Sequence, residues 1–315
     1  DNELIHFSNS DTCRSIGSIC DGLKPSQRKI LYCAFKRKLY SEIRVAQLAG
    51  YVSENAAYHH GEASLQSTII GLAQNFVGSN NINLFNPNGM FGTRIEGGKD
   101  ASSPRYIFTN LNALTLLLFN KKDEALLNYL NDDGTKIEPE WYVPIIPQIL
   151  VNGSEGIGTG YSTYIPKYNP KELIQSIKSL LNGEVINDLD PWYQNFKGTI
   201  TKMDDETYIS KGKYEIINSK TVEITELPVG IWTSNYKDFL DTITVDATDK
   251  TNKKKYLSNW KYGDNYTEAS VHFILTFSGM GLTELISDLD GFEKTFKLQS
   301  RIKISNMHLY NRNNE

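Results

Sequence analysis

DGLKPSQRKILYCAFKRKL, residues 21–39, carries the clearest helix signal in the chain. Pro25 suits a first helical position, where its missing N–H leaves no bond unmade. Ile30, Leu31, Ala34, Phe35 and Leu39 recur at 3.6-residue spacing and predict one buried face over 25–39. Lys29 and Lys36 share another side, and Arg28 stands at the edge of the apolar stripe. Taken alone, that basic side reads as a solvated helix face.

Two more helices are predicted nearby, one around 42–48 and one over about 62–76, with Leu65, Ile69, Leu72 and Phe76 on its inner face. Three short helices joined by brief turns resemble a helix-turn-helix unit. Residues 77–105 are rich in turn formers (GSNN, NPNG, EGG) and read as loops and short hairpins. IFT, 107–109, reads as a short strand, and 111–119 as a helix. VNGSEGIGTGYST, 151–163, has glycines at 153, 156, 158 and 160. It is no P-loop, because no Gly-Lys-Ser/Thr closes it. Tight turning or close backbone approach explains those glycines better. Further on, a helix is predicted from Pro170 to about Leu181. Strands are predicted at 197–203, 206–210, 213–218, 220–226 and 270–277, and a helix at about 234–242. The Lys253–Lys255 run reads as a solvated loop.

At 315 residues, with 39% apolar and 11% aromatic residues, the chain supports two or three packed domains. No apolar run approaches the ~20 residues that cross a bilayer, and the N-terminus has no basic segment followed by an apolar one. The missing initiator Met suggests a piece of a larger protein. Cys13, Cys20 and Cys33 fit no zinc spacing and read as free thiols. The net charge of −4 hides an asymmetry: residues 1–122 hold 13 Lys/Arg against 9 Asp/Glu, the rest 20 against 28. The first part is therefore the one suited to a polyanion.

Four segments concentrate polar chemistry in that part: DGLKPSQRK (21–29), AYHHGEAS (57–64), NGMFGTRIEGGKD (88–100) and SSPRYIFT (102–109). In this order and spacing they resemble the DNA-cleavage region of type IIA topoisomerases. AQNFVGSNNINLFNPNGMFGTR (73–94), PEWYVPIIPQILVNGSEGIGTGYSTYIP (139–166) and ITELPVGIWT (224–233) look like the eukaryotic topoisomerase II branch of that family.

The resemblance implies an α+β fold: a winged-helix domain over 8–145, an α/β tower domain over 146–285, and the start of a coiled-coil gate over 286–315. It places the nucleophilic tyrosine at Tyr106, preceded by Arg105. A free phenol ionises only near pH ~10, so such a nucleophile needs a proton acceptor and nearby positive charge. By motif match, His60 is the histidine at the reacting phosphate, as proton acceptor or hydrogen-bond donor. Arg28 and Arg105 would stabilise charge on its oxygens, each worth roughly 2.7–4 kcal/mol. Lys24, Lys29, His59, Arg94 and Lys99 would contact the DNA, and Ile157 would wedge between base pairs. The resemblance further implies a nuclear homodimer on double-stranded DNA. Mg²⁺ would sit on a TOPRIM domain and ATP on an ATPase domain, neither of them in this chain. A winged helix that binds duplex without chemistry, and a plain scaffold, are the competing readings.

Overall fold

The computed structural model describes residues 2–245, 256–278, 281–313 and 315. The Lys253–Lys255 run lies outside the described residues. The fold mixes helices with small antiparallel sheets around two main apolar cores and a minor third.

The first part comprises α1 (Asn2–Ser15), α2 (Pro25–Arg37), β1 (Ile43–Arg44), α3 (Val45–Asn55), α4 (Glu62–Ala73) and β2 (Phe108–Thr109). Helix α2 begins where its sequence predicts. The Gln27 side chain there accepts the Lys24 backbone N–H at 2.9 Å, tying off a free donor. It ends two residues earlier than predicted, because Lys38 turns left-handed (φ 53°) and the Leu39 N–H reaches back to the Ala34 carbonyl. Ile30, Leu31 and Ala34 are buried, as their spacing requires. Helix α3 starts at 45 rather than 42, since Ile43 and Arg44 pair with Thr109 and Phe108. Leu65, Ile69 and Leu72 bury the inner face of α4. Phe76, past its end, stands edge-on to Trp232 with centroids 5.7 Å apart. The polar helix α1 has too weak an apolar stripe to be read from sequence; Leu4, Ile5 and Phe7 are exposed.

Next come α5 (Ala113–Leu118), a 3₁₀ turn at Lys121–Leu126, β3 (Tyr129–Asp132), β4 (Thr135–Pro139), α6 (Gln148–Asn152), β5 (Ser154–Gly158), β6 (Tyr161–Ile165) and α7 (Pro170–Leu181). The glycine-rich stretch forms the β5–β6 ribbon. A Cβ on Gly156 would lie 2.0 Å from the Ser15 carbonyl oxygen, and one on Gly158 would lie 2.9 Å from Thr12 Cα. Close backbone approach therefore explains these glycines. Because side chains alternate along a strand, the face of Gly156 and Gly158 meets α1 and Ile157 points the other way. The first core runs from Leu23 to Leu173, past the expected boundary at 145.

The remainder holds β7 (Thr199–Lys202), β8 (Thr207–Lys211), β9 (Lys213–Asn218), β10 (Thr221–Glu226), α8 (Thr233–Ile243), β11 (Leu257–Tyr262), β12 (Phe273–Phe277), α9 (Gly281–Leu285), α10 (Leu289–Thr295) and β13 (Gln299–Lys303). One sheet has the order β11-β12-β10-β9, the other β13-β8-β7. Phe273, Leu275 and Phe277 alternate inward from β12 and are fully or almost fully buried. The stretch 286–315, expected to start a coiled coil, instead supplies α10, β13 and an extended return. Phe292, Phe296 and Leu298 share the core of Val222 and Phe273, so that core continues past 285. The Tyr310 N–H then bonds the Gly17 carbonyl at 3.0 Å, bringing the two ends of the chain together.

Candidate nucleic-acid interface

Tyr106 lies in the loop between Pro104 and Ile107, and its backbone is held from several sides. The Ser102 N–H bonds the Met90 carbonyl at 3.0 Å, and the Tyr106 N–H bonds the Ser103 carbonyl at 2.9 Å. The first turn of α3 supplies two more bonds: Ala46 N–H to the Pro104 carbonyl and Val45 N–H to the Ile107 carbonyl, each 3.1 Å. Buried Ile107 anchors the far side. The Tyr106 side chain itself is 77% exposed. Among the described residues nothing bonds its hydroxyl, and Arg105 beside it is likewise exposed and unpaired. Tyrosines that serve as packing here look different: Tyr142 and Tyr236 are almost wholly buried.

His59 and His60 are both exposed, and they line a pocket of about 230 Å³ with Arg14, Ser26, Lys29 and Ser64. The His60 ring meets Tyr58 edge-on at 5.4 Å. Its pKa is lowered from the ordinary histidine value. Desolvation of the ring is the largest cause, and the charges of Arg14, His59 and Lys29 add to it. A lowered pKa keeps the imidazole neutral at pH 7, the form that accepts a proton. An NMR titration of the His60 ring should therefore have its midpoint below 6.5, and added salt should move it upward as the neighbouring cations are screened. A midpoint above 6.5 would contradict this arrangement. Arg14, in the last turn of α1, was not singled out from the sequence, because no local pattern ties it to His60. No hydrogen bond, ion pair or ring contact joins the Tyr106 loop to this pocket among the described residues.

Two of the expected cations require correction. Arg28 is buried and donates from Nε to Asp21 Oδ2 at 2.7 Å, and from Nη2 to Asp21 Oδ1 and the Leu23 carbonyl. Asp21 also accepts the Tyr142 N–H, so Arg28 staples the turn before α2 and is not a free surface cation. Arg94, 4% exposed, is paired with Glu226, which is 1% exposed. Glu226 further accepts the backbone N–H groups of Leu227 and Lys197. Arg94 is therefore a joint between the loop before Tyr106 and the end of β10. The reason is the same in both cases: a buried cation without an acid is too costly to keep.

Lys29 and Lys24 are half-buried and also engaged. Lys29 bonds Glu138 at 2.9 Å and the Ala56 carbonyl, and still borders the His60 pocket. Lys24 donates to the Glu155 carbonyl at 2.6 Å, at the base of the ribbon. Its pKa is lowered by burial and partly restored by the Glu155 charge. Lys99 is exposed, and no side-chain partner holds it among the described residues. Ile157, toward the far end of the ribbon, is 80% exposed.

Among the described residues no group of three or more His, Cys, Asp and Glu side chains is placed to hold a metal ion. No helix among them is long and apolar enough to cross a membrane.

The family model for the DNA gyrase/topoisomerase IV A-subunit matches residues 14–315. DNA topoisomerase 2 of Arabidopsis thaliana is 53% identical over 315 residues, covering 98% of this chain and 21% of its own length. DNA topoisomerase 2-alpha of Homo sapiens is 49% identical over 308 residues, covering 98% of this chain and 20% of its own length. The chain thus spans about a fifth of the curated relatives it matches. A crystal structure of the Plasmodium falciparum topoisomerase II DNA-binding, cleavage and re-ligation domain is 48% identical. It has a TM-score of 0.93, covering 99% of this chain and 42% of that one. With a family model running over nearly its whole length and relatives half identical to it, the chain belongs to the DNA gyrase/topoisomerase IV A-subunit family, among its DNA topoisomerase 2 members.

Proposed function

We propose that this chain is the DNA-gate part of an ATP-dependent type IIA topoisomerase, and that it cuts duplex DNA through Tyr106. The observation that carries the reading is the exposed, unpartnered Tyr106 hydroxyl beside exposed Arg105, on a loop whose backbone is fixed by hydrogen bonds. That is a nucleophile held in place before substrate arrives. The phenolic oxygen attacks a backbone phosphorus as its proton passes to an acceptor. The bond to the 3′ oxygen breaks, and that oxygen takes up a proton. The 5′ phosphate stays on Tyr106. One phosphodiester replaces another, so the 3′ hydroxyl can attack back and rejoin the strand without ATP.

His60, neutral at pH 7, suits the proton acceptor or a donor to the phosphate. Arg105 supplies fixed positive charge where negative charge builds up on the non-bridging oxygens. Exposed Lys99 and Arg14 would contact the backbone, and exposed His59, whose Nε2 lies 3.8 Å from Asp132 Oδ2, would join them. In this reading the helices α2–α4 with β1 and β2 form a winged helix, the later sheets form the tower, and the coiled-coil gate lies beyond β13. Two strands are cut by two copies related by a two-fold axis. Mg²⁺ and ATP belong to TOPRIM and ATPase regions of the parent, which works on nuclear DNA.

Full-length protein incubated with supercoiled plasmid and stopped with detergent should yield linear DNA bearing covalently attached protein. Bound plasmid with no covalent protein would favour the duplex-binding module instead. Ile157 is the proposed wedge: inserting it between base pairs costs a few kcal/mol of stacking and is offset by wider contact with bent DNA. Ile157→Ala should reduce bending, read by fluorescence transfer across an end-labelled duplex. An unchanged bend would remove the wedge role.

A further inference from the structure

Beneath the β5–β6 ribbon lies a second polar cavity, of about 210 Å³, which the cleavage chemistry does not use. The start of α2 closes one side with Lys24 and Gln27, and the base of the ribbon closes another with Glu155 and Lys167. Gln148, the first residue of α6, also lines it. Gln148 is 3% exposed, yet neither its side-chain oxygen nor its nitrogen has a hydrogen-bond partner. Turning the amide over changes nothing, because both atoms are unmatched. A buried amide left unbonded costs on the order of 1–3 kcal/mol per group, so its persistence points to something that fills the space.

The charge of the lining says what. The Lys167 side chain has no hydrogen bond or ion pair among the described residues; its ammonium lies 5.7 Å from the Tyr193 ring centroid. Burial pulls its pKa down to about 8, with the Glu155 charge acting the other way. Lys24 spends one N–H on the Glu155 carbonyl and has others to offer. Two ammonium groups and an amide NH₂ thus face one cavity against a single carboxylate, that of Glu155, whose side chain is exposed.

We infer that this cavity binds a small oxyanion of the phosphate class, held by Lys24, Lys167 and the Gln148 amide. The amide nitrogen and both ammonium groups donate to its oxygens, and the Gln148 carbonyl accepts from a protonated oxygen or an accompanying water. An anion there would tie the base of the ribbon to α2 and so stiffen the arm that carries Ile157. The proposal stands independently of Tyr106.

The test is thermal unfolding of the chain in inorganic phosphate against sodium chloride at equal ionic strength, without DNA. Phosphate at about ten times its dissociation constant should raise Tm by roughly 2–4 °C beyond chloride. Gln148→Leu and Lys167→Met should each abolish that increment. An equal Tm in the two salts would overturn the proposal, as would an increment retained in both variants. If either variant fails to fold, ³¹P line broadening of inorganic phosphate by the unmodified chain decides. Saturable broadening, displaced by sulfate, supports the site, and a sharp line at all protein concentrations refutes it. Stabilisation by a short duplex with none by free phosphate would also refute it.

Discussion

Tyr106→Phe is expected to eliminate detergent-resistant protein–DNA adducts from the full-length enzyme while leaving salt-sensitive DNA binding nearly intact. The substitution removes one oxygen from a side chain that is 77% exposed and whose hydroxyl bonds nothing among the described residues. No packing is lost, and the change falls on chemistry alone. Deleting the attacking atom of a covalent catalyst typically costs several powers of ten, so relaxation of supercoils should drop by at least about 10³-fold. Binding depends on the surrounding cations and should keep its slope against salt concentration. Parallel losses of binding and cleavage would mean that Tyr106 supports the loop and does not attack.

Arg94→Ala is expected to produce the largest loss of stability. The pair it breaks is almost fully buried, with side-chain exposures of 5% and 1%. Glu226 would keep only the backbone donors of Leu227 and Lys197. Removing one partner of such a pair costs about 3–5 kcal/mol, because the remaining charge stays buried. The loss is measurable by urea denaturation. Replacing both residues together, Arg94→Met with Glu226→Leu, should recover most of it. A loss below about 1 kcal/mol for Arg94→Ala would show that the joint is solvated in solution. The consequence extends to the site. Thr93 on one side of Arg94 holds Asp100 through its N–H and hydroxyl, and Ile95 on the other accepts the Ser234 N–H and hydroxyl through its carbonyl. The loop leading to Tyr106 is thereby fixed to the later sheets.

Much of the helical part was legible because periodic burial is a local property. The stripe on α2 and the Leu65, Ile69, Leu72 face of α4 fold as their spacing demands. The glycines of 153–160 were legible too, as places of close approach, although their target, the backbone of α1, was not. What escaped was non-local pairing. Arg28 sat at the edge of an apolar stripe, a hint of burial, but nothing in the sequence joins it to Asp21 and Tyr142. Arg94 meets an acid 132 residues away. A cation that reads as free in sequence becomes structural once the fold brings it an acid, while Arg105 and Lys99 meet none among the described residues. Residues 286–315 were hard to read because α10 and β13 owe their places to distant partners: the core built on β10 and β12, and the edge of β8.

The most direct test is peptide mapping of the covalent complex formed by full-length enzyme on a duplex and trapped in detergent. After protease and nuclease digestion, mass spectrometry should find a nucleotide joined through its 5′ phosphate to the tyrosine of the peptide containing Pro104, Arg105 and Tyr106. Attachment to any other residue, or through a 3′ phosphate, would contradict the account.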